Sequence, residues 1–146
     1  MRLRQPEIQM PIKLTKVPYA ALNSRQQEAH NFQKVSAVLA DYGYSTIRLQ
    51  DDWQGADFIA QHHGGIDFLK IQLKGRLVID KKYIGKDIYV VFPDSGTWYI
   101  YEHDALLSHL SEGGGIVETS SWSQDGSYSW PSLPHKVVST GLLQTL

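Results

Sequence analysis

Cysteine is absent from all 146 residues. That excludes a disulfide scaffold, a thiolate zinc site, an iron–sulfur cluster and a thiol nucleophile. Net charge is nearly absent too: 14 Lys and Arg stand against 15 Asp and Glu, leaving −1. The chain is therefore no polycation, and any contact with nucleic acid must come from a local concentration of positive charge. No apolar run approaches the roughly 20 residues of a membrane span. The N-terminus carries Arg2 and Arg4 but no apolar core of a signal peptide behind them. Three phosphate or nucleophile signatures are also missing, namely GxxxxGK[ST], GxGxxG and GxSxG. What remains is a chain 42% hydrophobic and 20% charged, sized for one cytoplasmic domain. A globule of this length can bury roughly two thirds of its unfolded surface without a disulfide or structural metal.

Residues 1–22 hold Pro6, Pro11 and Pro18 without a clear period. Proline fixes φ and removes a donor, so an extended arm is expected. Asn23 and Ser24 both suit a helix N-cap, and Ser24 with Gln27 fits a capping box. Ala29, Phe32, Val35, Val38, Leu39 and Tyr42 then recur at helical spacing until Gly43 stops the helix. Glu28, Phe32, Val35 and Leu39 share one stripe, which puts an acid near the start of the core-facing side.

Beyond Gly43 the period becomes that of strands: 44–50, 57–61, 66–74, 88–92 and 97–101. Asp51–Gly55 reads as a polar turn and His62–Gly65 as a hairpin turn. Residues 88–92 are nearly all apolar, so that strand should be buried on both faces. Asp104 is expected to cap a short helix over 105–110. Residues 111–146 read as a loop-rich extension, with Trp122, Tyr128 and Trp130 as anchors and a closing helix from His135. The whole chain, 1–146, is expected to be one α/β domain around a mixed sheet flanked by helices.

The chemistry concentrates in the second and third strands. Leu69, Ile71 and Leu73 alternate with Lys70, Gln72 and Lys74, so Gln72 and Lys74 share a face. A short turn makes the two strands antiparallel neighbours, and Asp57 then lies beside Gln72 and Lys74. A carboxylate and an amide oxygen are hard ligands suited to Mg²⁺ or Mn²⁺. A neighbouring ammonium can orient water and offset charge on a phosphate. Six basic residues fall between 70 and 86: Lys70, Lys74, Arg76, Lys81, Lys82 and Lys86, with Asp80 the one acid from 70 to 86. Such a cluster suits a phosphate backbone, although a lysine-rich hairpin tip also keeps a sheet edge soluble.

The run GADFIA at 55–60, followed by Gln72-Leu73-Lys74, resembles the PD-(D/E)XK nuclease superfamily with a QxK variant of its motif. NSRQQE at 23–28 is similar to the opening helix of the Holliday-junction-resolvase branch, and Gln at the second acidic position is similar to a homing-endonuclease branch. The resemblance covers about residues 23–101. It implies a restriction-endonuclease-like αβββαβ core and a divalent-metal-dependent endonuclease acting on DNA. It implies Mg²⁺ or Mn²⁺ held by Asp57, Gln72, the backbone carbonyl of Leu73 and Glu28, with Lys74 at the attacking water. It further implies a homodimer that needs no nucleotide cofactor and no membrane. Lys70, Arg76, Lys81, Lys82 and Lys86 would meet the DNA. Gln72 offers an oxygen without charge, which feeds the alternative of a catalytically inactive nuclease-fold module that binds nucleic acid or a protein. His62 and His63, side by side in a turn, fit an exposed pair better than a metal site. Trp53 fits a cap over the core better than a base-stacking platform.

Overall fold

A computed structural model describes residues 1–7 and 11–146. Helix α1 (Ser24–Ala40) opens with a capping box in which Asn23 accepts from the Gln26 N–H and Gln26 accepts from the Asn23 N–H. The box thus sits one residue earlier than the Ser24–Gln27 pairing expected from sequence. Asn23 wins because it holds an extended backbone, which lets its short side chain reach back to the third helical amide. Val35 and Leu39 are the residues that α1 buries. Gly43, at φ +84°, turns the chain into the sheet.

Six strands form one sheet in the order β1-β2-β3-β5-β6-β8. They are β1 (Tyr44–Trp53), β2 (Ala56–His62), β3 (Phe68–Leu73), β5 (Ile88–Asp94), β6 (Thr97–Glu102) and β8 (Gln144–Thr145). The β3–β5 pair is parallel and the other neighbours in this sheet are antiparallel. The crossover from β3 to β5 carries β4 (Val78–Asp80) and a single 3₁₀ turn, Lys81–Tyr83, as its helical element. β4 pairs with β7 (Ser127–Ser129) in a separate two-stranded sheet.

Alternation along the strands sorts their side chains onto two faces. Phe58, Ala60, Ile71, Val91 and Ile100 pack with Val35 and Leu39 beneath α1. Ile59, Val90, Phe92 and Tyr101 pack with β4, Trp122, Trp130 and helix α2 (His103–Glu112) on the other side. Burying a ring such as Phe58 contributes on the order of 2–3 kcal/mol. As expected, β5 is buried on both faces, Val90 toward one cluster and Val91 toward the other.

Several expectations need correction. The polar turn at 51–55 shrinks to Gln54 and Gly55, both at positive φ, because β1 continues to Trp53 and pairs it with Ala56. β2 runs through His62, so the hairpin turn falls later and β3 begins at Phe68. Helix α2 starts at His103; Asp104 lies in its first turn and accepts from the Gly85 N–H at 2.9 Å instead of capping. The closing helix from His135 is one turn, α3 (His135–Val138), after which β8 joins the sheet beside β6. Trp122 and Trp130 are buried as expected, whereas Trp53 is 53% exposed and caps nothing. Among the described residues no helix is long and apolar enough to cross a membrane.

Candidate functional site

An irregularity in β1 opens the site. Arg48 pairs with Phe58 and Trp53 with Ala56. Between those pairs Leu49, Gln50, Asp51 and Asp52 stand opposite Asp57 alone. The extra residues bow β1 away from β2, as a bulge does. The gap is a cavity of about 470 Å³ whose lining includes Glu28, Arg48, Asp57, Gln72, Leu73 and Lys74. All four residues whose side chains were expected from sequence, and Leu73, therefore line one cavity.

The β2–β3 register pairs Phe58 with Ile71. One step further sets Asp57 opposite Gln72. Here the ladder ends and a side chain takes over: Asp57 Oδ2 accepts the Leu73 N–H at 2.9 Å. On the other side of β3, the Lys74 N–H donates to the Val91 carbonyl at 2.9 Å. Within a strand the N–H and C=O of one residue point the same way, so the Leu73 carbonyl faces the β2 side, where the gap lies.

Gln72 is 8% exposed, and its Oε1 has no hydrogen-bond partner. A buried acceptor left unpaired costs about 1–3 kcal/mol. It needs a donor or a cation. Asp57 beside it is half-buried. Burial pushes its carboxyl up from the usual value, Asp52 and Glu28 push the same way, and the Leu73 N–H and Lys74 pull it down. Burial likewise pulls the Lys74 ammonium below its usual value, reinforced by Lys82 and opposed by Asp57, Asp80 and Asp52. Lys74 and Lys82 flank the Tyr83 ring at 5.7 and 5.1 Å from its centroid, and the Tyr83 hydroxyl is buried without a partner.

Glu28 is exposed on the cavity rim, a turn into α1. The donor set for a cation is thus one half-buried carboxylate, one orphaned amide oxygen, one main-chain carbonyl and a rim carboxylate. That fits Mg²⁺ or Mn²⁺, which take hard oxygens and keep waters. It is poor in charge: among the described residues, no group of three or more His, Asp or Glu is placed to hold a metal ion. The His62 and His63 rings lie 4.4 Å apart and tilted by 40°, without a third ligand among the described residues.

The basic residues divide. Lys82 stands by Asp80 at 3.9 Å and Lys81 over Trp122 at 5.4 Å. Lys70 is not brought to the site; it lies 5.8 Å from the Trp53 ring in a separate cavity. Arg76 and Lys86 do not line the site cavity. Sequence reasoning missed Arg48 and Asp52. Arg48 was visible as the charged residue of an alternating strand, lying here over the Phe32 ring at 5.4 Å. Asp52 stood only five residues before Asp57 with a tight turn between them, which was the available signal.

No family model matches the chain, and no curated protein matches it. Among solved structures it is similar to Hjc, a Holliday junction resolvase from the archaeal hyperthermophile Archaeoglobus fulgidus, at 15% identity and a TM-score of 0.38, over 48% of this chain and 74% of that one.

Proposed function

We propose that the protein is a divalent-metal-dependent endonuclease that hydrolyses DNA phosphodiester bonds, acting as a homodimer. The observation that carries this reading is the convergence of Asp57, Gln72 and Lys74 in one cavity with Gln72 Oε1 unpaired. Asp57, Gln72, the Leu73 carbonyl and Glu28 would hold Mg²⁺ or Mn²⁺, which when bound supplies positive charge against the scissile phosphate. The Leu73 N–H fixes the Asp57 carboxylate, so its second oxygen stays directed by the backbone. Lys74, held at its own N–H by β5, positions the attacking water and offsets charge developing on the phosphate. Arg48 is placed to meet a phosphate at the cavity mouth, and Lys81, Lys82, Arg76 and Lys86 extend the positive surface along the crossover.

The test is cleavage of supercoiled and branched DNA with Mg²⁺ or Mn²⁺ by the wild type, Asp57→Ala and Lys74→Ala. Cutting by the wild type, lost in both variants while DNA binding persists, supports the enzyme. A second reading rests on the spacing of the acids, no three of which, among the described residues, are placed to hold one metal ion: a noncatalytic nuclease-fold module that binds nucleic acid or a protein. Binding without cutting under either ion favours that module.

A further inference from the structure

A second surface lies at the far end of the sheet. β3 and β5 begin there, and β6 ends there, with Tyr89 opposite Glu102. Two cavities of about 690 and 670 Å³ meet there at Asp67, Leu69, Tyr89 and Glu102, the first on the α1 side with Leu39 and Ile100 and the second, the groove considered below, on the other face with Ile59, Phe68 and Trp53. Its apolar floor is unusually open: Ile66 is 90% exposed and Phe68 59%, with Trp53 beside them. Its charge is acidic. Asp67, Asp87 and Glu102 face it, against Lys70, which lies over the Trp53 ring, and His62. An apolar strip with an acidic rim is the mark of an interaction site for a basic, apolar partner.

The chain itself carries such a segment. Residues 11–17 (PIKLTKV) interleave Ile12, Leu14 and Val17 with Lys13 and Lys16 and contain no acid. All seven are exposed, Ile12 at 66% and Leu14 at 92%. Pro11 and Pro18 bracket the segment, and proline favours extended backbone at and before itself. An extended arm already short of freedom loses less entropy on docking than a flexible one.

The arm leaves the fold at the start of α1, the end that carries Glu28 and the cavity of Asp57. The adjoining cavity is lined by Leu39 and Tyr42, at the other end of the same helix, and the groove of Ile66, Phe68 and Trp53 meets it at Asp67, Leu69, Tyr89 and Glu102. Seventeen helical residues, about 25 Å at 1.5 Å per residue, separate the two ends. An extended segment running from 11 to 23 can also span that distance along its own helix, so it is the oligomeric state that separates a neighbour's groove from the chain's own.

We propose that residues 11–17 of one copy dock in the acidic groove of a second copy, the lysines meeting Asp67, Asp87 and Glu102 and the apolar side chains covering Phe68, Ile66 and Trp53. The docking rests on the homodimer of the proposed function but not on its cleavage chemistry, and it leaves each Asp57 cavity outside the contact.

The test is the molar mass of the full chain by sedimentation over a wide concentration range, with charge reversals on each side. The wild type is expected to dimerise. Lys13→Glu with Lys16→Glu, and separately Asp67→Lys with Glu102→Lys, should each weaken the dimer about tenfold or more, because like charges set against each other across an interface oppose association. Mixing the two reversed proteins should give a mixed dimer joined by one normal-to-normal and one swapped contact, and carrying both reversals on one chain should restore dimerisation. Because the chain has no cysteine, a second measurement is unambiguous: Leu14→Cys and Phe68→Cys proteins, mixed and oxidised, should form a disulfide-linked heterodimer. A wild type monomeric at every concentration overturns the proposal. So does a dimer indifferent to both reversals, a failure of the mixed disulfide, or an arm reversal that leaves the mass unchanged and lowers DNA affinity instead.

Discussion

The carboxylate of Asp57 takes over from the β2–β3 ladder: its Oδ2 accepts the Leu73 N–H, two residues beyond Ile71, where the backbone pairing with β2 stops. The same side chain is therefore both a structural acceptor and the buried acid of the site. Asp57→Ala should abolish cutting and also destabilise the protein by about 1–3 kcal/mol, the cost of leaving that amide unpaired. Asp57→Asn retains an acceptor oxygen, so it should abolish cutting while keeping most of the stability. Thermal melts beside a cleavage assay check both.

Gln72 should respond in the opposite sense to charge. Gln72→Glu places an anion where an unpaired acceptor now sits. In the absence of metal this should lower stability, since a buried carboxylate beside Asp57 pays for desolvation and like-charge repulsion. With Mn²⁺ present, affinity should rise about tenfold, equivalent to about 1.4 kcal/mol. Calorimetric titration of Mn²⁺ into the two proteins measures this. Equal affinity would show that Gln72 does not face the cation.

The two ionisable groups have opposite pH signatures. Asp57 has its folded-state value raised above 3.8, chiefly by burial. Its charge therefore costs stability, fully above the folded-state value and not at all below the unfolded one, so stability attributable to Asp57 increases as pH falls between the two. Lys74 has its folded-state value lowered below 10.5, again chiefly by burial. Its cost is complete below the folded-state value and fades as pH rises towards 10.5. Lys74→Met should thus raise the melting temperature, with the gain shrinking at alkaline pH. Melting curves of wild type and Lys74→Met across pH test the sign. Burial, the leading cause for both groups, is not screened by salt, so the sign of each effect should persist at high ionic strength while the smaller charge–charge contributions fade.

Tyr101 ties the second sheet to the first. Its buried hydroxyl donates to the Val78 carbonyl and accepts the Val78 N–H. Tyr101→Phe leaves both groups without that partner and should cost about 1–3 kcal/mol. Denaturant unfolding measures it. Hydrogen exchange should show the loss first at β4 and β7.

Local pattern carried much of this fold into view. α1 was legible from its apolar spacing and its stop at Gly43, and β2, β3, β5 and β6 from alternation and apolar density. The facing of Gln72 and Lys74 followed from alternation alone. What escaped was set by distant partners. Nothing near residue 144 signals a strand; β8 exists because β6 offers it an edge. Likewise the bowing of β1 depends on its pairing at Arg48 and Trp53, so Asp51 and Asp52 looked like a turn and Arg48 was not assigned to the site. Lys70 shares a face with Gln72 by parity, yet distance along the strand and the Trp53 ring place it in another cavity.

The parallel junction between β3 and β5 has a consequence for the order of assembly. β1, β2 and β3 are joined by short turns and can form as a local meander, bringing Asp57 and Gln72 together early. The Lys74 N–H is anchored only when Val91 arrives, after a 14-residue excursion has closed. Loop closure of that kind is the slower event. A nascent chain would hold the acid and the amide before the ammonium is fixed, so the set of Asp57, Gln72 and Lys74 would be complete last and report completion of the central sheet.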